Sequence, residues 1–137
     1  MNWTLEVVYV PVADVDRAKA FYADQLGFNV DHDTAVNERN RFVQLTPPGS
    51  GCSIVIGKGI VRMEPGSQQG LQLVVRDLKA AHARLVEHDV KVSDIQVYGA
   101  EGLSPMREGD MLDNVGFCFF TDPDGNGWAV QQISSRA

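Results

Sequence analysis

Apolar and polar positions along the chain recur with two periods, and the switches between them mark out short elements. Residues 5–12 are dense in valine and predict a first strand. Asp14 follows as a helix N-cap. Ala18, Phe21, Tyr22 and Leu26 then recur at helical spacing over 15–26, and Gly27 supplies the stop. Residues 28–30 predict a second strand, 31–40 a polar connection, 42–46 a third strand and 52–56 a fourth, entered through Pro47-Pro48-Gly49-Ser50-Gly51. A Gly- and Pro-bearing stretch over 57–69 reads as a linker with a short strand near 60–63. The pattern then restarts. Residues 71–75 predict a strand, Asp77 an N-cap, and 78–88 a helix with Ala81 and Leu85 on one face. Strands follow at 90–97 and 117–120, then the turn Asp122-Pro123-Asp124-Gly125-Asn126-Gly127 and a last strand at 128–133.

The two halves repeat each other. Asp14 and Asp77 stand 63 residues apart, while Phe42-Val43-Gln44-Leu45-Thr46 answers Phe117-Cys118-Phe119-Phe120-Thr121 at an offset of 75. The class expected is therefore α+β, with two tandem βαβββ modules in one domain spanning all 137 residues. Module 1 covers about 1–57, the linker about 58–69 and module 2 about 70–137. The growth in offset puts about twelve extra residues into 99–114. A single module leaves one sheet face bare. Two side by side are expected to form a curved mixed sheet, helices outside and a concave cleft within, where small molecules usually bind.

Composition narrows the partners. The chain is 44% apolar and 22% charged, an ordinary globular balance, and long enough to fold without disulfides or structural zinc. Cys52 and Cys118 stand far apart and read as two reduced core thiols. Twelve basic against eighteen acidic residues give a net charge of −6, which argues against nucleic acid and anionic membranes. A small organic ligand, cationic or aromatic, fits better. No membrane-length apolar run and no signal pattern is present, so a cytoplasmic compartment is expected.

Two motifs carry a family resemblance. Tyr9-Val10-Pro11-Val12-Ala13-Asp14-Val15-Asp16-Arg17-Ala18-Lys19-Ala20-Phe21-Tyr22, with Leu26-Gly27-Phe28, is the first; Phe120-Thr121-Asp122-Pro123-Asp124-Gly125-Asn126 is the second. Together they resemble the vicinal oxygen chelate superfamily of glyoxalase I, extradiol dioxygenases, fosfomycin-inactivating enzymes and bleomycin-resistance proteins. The resemblance implies paired modules, commonly a homodimer, and a divalent metal in the cleft. It also implies ligands seven residues before each capping Asp and four after each turn glycine. Those positions hold Val7, Gly70, Ser53 and Ala129, none a usual ligand, so neither metal nor cofactor is expected.

Strand alternation gives the expected lining. Val7 and Tyr9, Ser53 and Val55, Gly70 and Gln72, and Ala129 and Gln131 share the inward parity. Val43 and Leu45 suit the helix side, which leaves Phe42 and Gln44 inward and, by the repeat, Phe117 and Phe119. The candidate ligand-binding set is Tyr9, Phe42, Gln44, Gln72, Met106, Phe117, Phe119 and Gln131, with Met106 drawn from the extra segment. Trp128 has the opposite parity and should pack under a helix. Tyr9 and His32, the latter flanked by Asp31 and Asp33, are the candidate catalytic groups. His82 and His88 read as solvated helix residues. Glu101, Glu108, Asp110 and Asp113 make 99–114 an acidic loop, read as positioned to fold over a ligand. No nucleophile elbow, phosphate loop or dinucleotide fingerprint is present, and 122–126 reads as a turn.

Three functional readings follow. The first is a protein that binds a small organic molecule without a metal. The second is a metal-independent lyase or isomerase acting on a carbonyl compound. The third is a subunit or sensor with a vestigial cleft. An active metal-dependent glyoxalase or dioxygenase ranks behind them.

Overall fold

In the computed structural model, which describes residues 1–136, the βαβββ order appears twice. The first run is β1 (Val7–Tyr9), α1 (Val15–Ala20), β2 (Asn29–Asn37), β3 (Asn40–Thr46) and β4 (Ser53–Lys58). The second is β5 (Leu71–Val75), α2 (Leu78–Glu87), β6 (Gln96–Gly99), β7 (Gly102–Pro105), β8 (Gly116–Thr121) and β9 (Gly127–Gln132), with β7 as an added strand. Each run has its own mixed sheet, ordered β1-β4-β3-β2 and β5-β9-β8-β6-β7. In both, the first strand runs parallel to the last and the remaining pairs are antiparallel. The α+β class and the two modules read from the sequence are thus what the chain forms. Two compact units result: residues 1–68 with 122–126, and residues 69–121 with the chain from 127 onward.

In the first unit, Asp14 caps α1 by accepting from the Arg17 amide at 3.0 Å. The helix then widens into a π-turn over Phe21–Gln25, closed by Leu26 N–H to the Phe21 carbonyl at 3.0 Å and ended by Gly27 at φ +80°. The extra residue lets consecutive rings, Phe21 and Tyr22, both reach the core. Beneath them Val43, Leu45, Ile54 and Ile56 are buried on the helix side of the sheet. In the second unit α2 packs on β8 and β9. Cys118, Phe120, Trp128 and Val130 are buried, and the Phe120 and Trp128 rings stack at 6.0 Å. Trp128 lies on the helix side, as the alternation predicts.

The turn 122–126 is a buried polar knot. Asn126, fully buried, donates through Nδ2 to the Pro11 carbonyl at 2.8 Å and to Asp122 Oδ2 at 2.7 Å, and accepts the Gln68 amide at 3.0 Å. Asp122 also accepts the Tyr22 hydroxyl at 2.8 Å and the amides of Asp124 and Asn126. Asp124 Oδ1 takes the Ala13 amide at 3.1 Å and Arg17 Nη2 at 3.0 Å.

Residues 31–37 are not a connection: β2 continues through them as an edge strand paired only with β3. Every residue of β2 is exposed, so no apolar alternation was needed to form it. The ladder and a charge cluster hold it, with Asp33 taking Lys19 at 2.8 Å and Arg41 at 2.9 Å, and Arg41 reaching Asp16 at 2.8 Å. No strand forms at 60–63, and the strand expected at 90–97 begins only at Gln96. Segment 99–114 is no open loop. Its first half closes the β6–β7 hairpin, with Tyr98 opposite Leu103. Its second half is pinned where Asp113 accepts the Ser134 amide and hydroxyl, both at 2.6 Å. Those bonds hold the Asp113 carboxyl below its ordinary range. Cys52 is half-buried and not a core thiol.

Hydrogen bonds from Arg41 and then Lys19 hold the Asp33 carboxyl well below the usual carboxylate range. A depressed folded-state pKa stabilises above the unfolded value, near 4, and that stabilisation is lost as pH falls toward the folded value. Asp33→Asn should therefore cost about 0.5–1 kcal/mol at pH 7, in urea titrations, and the gap from wild type should narrow below pH 4. The Cys118 thiol is pushed up to about 11 by burial. A disulfide-exchange reagent at pH 8 should therefore label Cys52 alone in the native protein and reach Cys118 only after unfolding.

Candidate functional site

Register places the candidate residues on the sheet faces turned away from the helices. In the first unit Tyr9 pairs with Val55, Val55 with Gln44 and Gln44 with His32, so these four form one row across all four strands. Phe42 stands in the next row, between Thr34 and Gly57. Adjacent strands lie roughly 4.8 Å apart, which puts Tyr9 and His32 about 14 Å from each other. They share a face but not a proton-transfer distance.

The family's metal positions can be tested on the same ladders. Val7 and Ser53 are direct partners on β1 and β4. Ser53 Oγ lies 2.6 Å from Thr46 Oγ1, whose hydroxyl is donated to Asp31. In the second unit Ala129 faces Gln72, and Gly70 lies two residues earlier, just ahead of β5. Counting back seven residues from Asp77 overshoots the strand partner because only residues 76–77 separate β5 from α2, against 10–14 between β1 and α1. A valine, an engaged hydroxyl, a methyl group and, opposite it, the Gln72 carboxamide do not supply the imidazole, thiolate or carboxylate set that such a divalent ion needs. Among the described residues no three His, Cys, Asp or Glu side chains converge where an ion could sit.

The second unit gathers the aromatic candidates. Gln72, Ala129 and Phe119 form one row of its helix-free face; Val74, Gln131, Phe117 and Gln96 form the next. The Phe117 and Phe119 rings are parallel to within 7° with centroids 6.3 Å apart. Gln72 Nε2 donates to Gln131 Oε1 at 2.6 Å, and Gln131 Nε2 to the Asn114 carbonyl at 2.8 Å, so both amides are fixed in orientation. Met106 does not join this group. Its amide bonds to the carbonyl of Ile95, a buried residue, at 3.0 Å, and the alternation turns it to the side opposite Phe117.

A cavity of about 620 Å³ opens beside Phe119. Its lining includes Gln69, Gly70, Thr121, Gly127 and Ala129, and one wall is Lys91, Val92 and Ser93. That wall lies outside the regular ladder yet is fixed. Ser93 N–H donates to the Phe119 carbonyl at 2.8 Å, and the Phe119 amide returns to Ser93 Oγ at 3.0 Å. His82 Nε2 lies 2.9 Å from the Ser93 carbonyl, an acceptor that requires the Nε2–H form. His82 is therefore a half-buried strut and not a solvated helix residue. Gln69, Lys91 and Ser93 were invisible to periodicity, since none sits on a regular element.

A family model for the Glyoxalase/Bleomycin resistance protein/Dioxygenase superfamily matches residues 4–130. TnmS3, an antibiotic binding protein from Streptomyces sp. CB03234, is 31% identical over 97% of this chain and 98% of its own, with a TM-score of 0.74. A glyoxalase/bleomycin resistance protein from the same strain is 32% identical over 94% of this chain and 100% of its own, at 0.70. A superfamily member from Sphaerobacter thermophilus DSM 20745 is 25% identical over 96% and 98%, at 0.74. No curated protein matches the chain. No helix among the described residues is long and apolar enough to cross a membrane. The family model spans nearly the whole chain and both modules, and the chain belongs to the Glyoxalase/Bleomycin resistance protein/Dioxygenase superfamily.

Proposed function

We propose that this protein binds a small, flat organic molecule on the helix-free face of its second sheet, without the divalent metal of its family. The observation that carries the reading is the parallel Phe117–Phe119 pair beside the oriented amides of Gln72 and Gln131. Aromatic faces take a planar ligand by offset stacking, and fixed carboxamides add neutral hydrogen bonds. The likeness to TnmS3 supports it, since that protein binds an antibiotic. Tyr9, Phe42 and Gln44 belong to the corresponding face of the first unit. The cytoplasmic compartment and the homodimer are parts of the same proposal.

The test is a thermal-shift screen of planar aromatic antibiotics and small carbonyl metabolites, followed by mass spectrometry of the recovered compound. The expected result is a stabilising aromatic compound returned unchanged, from protein that carries no stoichiometric transition metal. Turnover that disappears in Tyr9→Phe or His32→Ala would favour the lyase or isomerase instead. One bound ion per chain would remove the metal-free claim.

A further inference from the structure

The cavity beside Phe119 points to the charge of what it holds. Its floor is unusually low. A Cβ built on Gly70 would meet no atom within 4 Å, Ala129 contributes only a methyl group, and the Gln69 amide lies over Gly127 where a side chain would otherwise stand. Phe119, Phe120 and Trp128 are its aromatic residues, and Ser93, whose hydroxyl donates to the Asp94 carbonyl, closes one side. Lys91 is the one ionisable side chain in the lining. Among the described residues no carboxylate pairs with its ammonium.

We propose that the ligand is a planar aromatic compound bearing an acidic group, a carboxylate or an ionised enol, with the ring against Phe119 and the acid at Lys91. This rests on the binding function proposed above and narrows it. It also reverses the sign that the net charge of −6 suggests, because a charge contact at the wall outweighs a diffuse field screened over about 8 Å at physiological salt. The cavity lies beside Ala129, one of the positions the family resemblance implies for a ligand, and beside Gly70, which has no side chain. An ammonium group on the same scaffold would meet Lys91 as a like charge.

Three fluorescent probes that differ at one substituent test this: anthracene-2-carboxylate, its carboxamide, and the corresponding aminomethyl ammonium. Fluorescence titration of the intact protein at low ionic strength should give the carboxylate an advantage of about fivefold over the amide, with the ammonium weakest. Lys91→Gln should erase that advantage, and added salt should shrink it in the wild type. Ala129→Phe, which fills the floor, should weaken all three probes while far-UV circular dichroism stays as in wild type. Equal affinities, an ammonium preference, or indifference to Lys91→Gln would overturn the acidic-ligand inference and leave the binding function standing. Binding unaffected by Ala129→Phe would remove the cavity from the site. Absence of binding by any probe up to millimolar concentration would take down both.

Discussion

Asn126→Ala should lower the free energy of unfolding by about 3 kcal/mol. Asn126 is fully buried and serves three partners at once: the Pro11 carbonyl, the Asp122 carboxylate and the Gln68 amide. Truncation leaves each of them short of a bond, and the cost of unsatisfied buried groups exceeds the net value of the bonds themselves. The Asp122 carboxyl, only 3% exposed, would lose one of its donors. Tyr22→Phe removes one hydroxyl from the same carboxylate and should cost only about 1–2 kcal/mol. Asn126→Asp keeps the shape but puts a second carboxylate where 2.7 Å now separates donor from acceptor, so it should be no milder than alanine. Urea unfolding of the three variants at pH 7 gives the order. A loss below 1 kcal/mol for Asn126→Ala would mean that the knot is not what holds this turn to residues 11–17 and 68.

That role was only half legible in the sequence. The run from Asp122 to Asn126 reads as a turn, and turn chemistry explains Gly125, at φ +100°, without explaining why the next residue is asparagine. Its partners lie 58 and 115 residues away, and no local pattern reports contacts at that separation. What local pattern does report came through well. The capping aspartates, the β-branched strands and the Gly27 stop are each encoded within a few residues. The repeat then gave the topology, because two copies of one pattern restrict the pairing far more than either alone. The pleat gave the faces: Phe117 and Phe119 lie on one side and Cys118 and Phe120 on the other, as alternation requires.

The failures share a physical cause. β2 is an edge strand exposed on every residue, so the burial that would impress an apolar alternation on it never acts. The β6–β7 hairpin lies in an insertion that the other module lacks, where the repeat has nothing to say. Counting seven residues back from Asp77 lands on Gly70 and not on Gln72, the partner of Ala129, because the two strand-to-helix connections differ in length. The wall at 91–93 is held by side-chain and main-chain bonds to a strand 26 residues later, which is again a long-range fact.

Removing both rings with Phe117→Ala and Phe119→Ala should weaken the ligand found in the screen by about 100-fold, roughly 2.7 kcal/mol. The two positions should not contribute equally. Phe119 lines the cavity and Phe117 does not, so Phe119→Ala should account for most of the loss. Phe117→Ala should act by freeing the Phe119 ring from its parallel partner at 6.3 Å, costing preorganisation more than contact. Both rings sit half-exposed on the face away from α2, so their truncation opens no void in the core formed by Cys118, Phe120, Trp128 and Val130. Thermal unfolding of the double variant should therefore stay within a few degrees of wild type while binding collapses, a separation that a core position such as Phe120 could not give. If the double variant binds as well as wild type, the aromatic face is not the site, whatever the cavity beside it holds. If Phe117→Ala proves the more damaging of the two, the ligand lies along the row of Gln131 and Gln96, one step removed from Lys91 and the cavity.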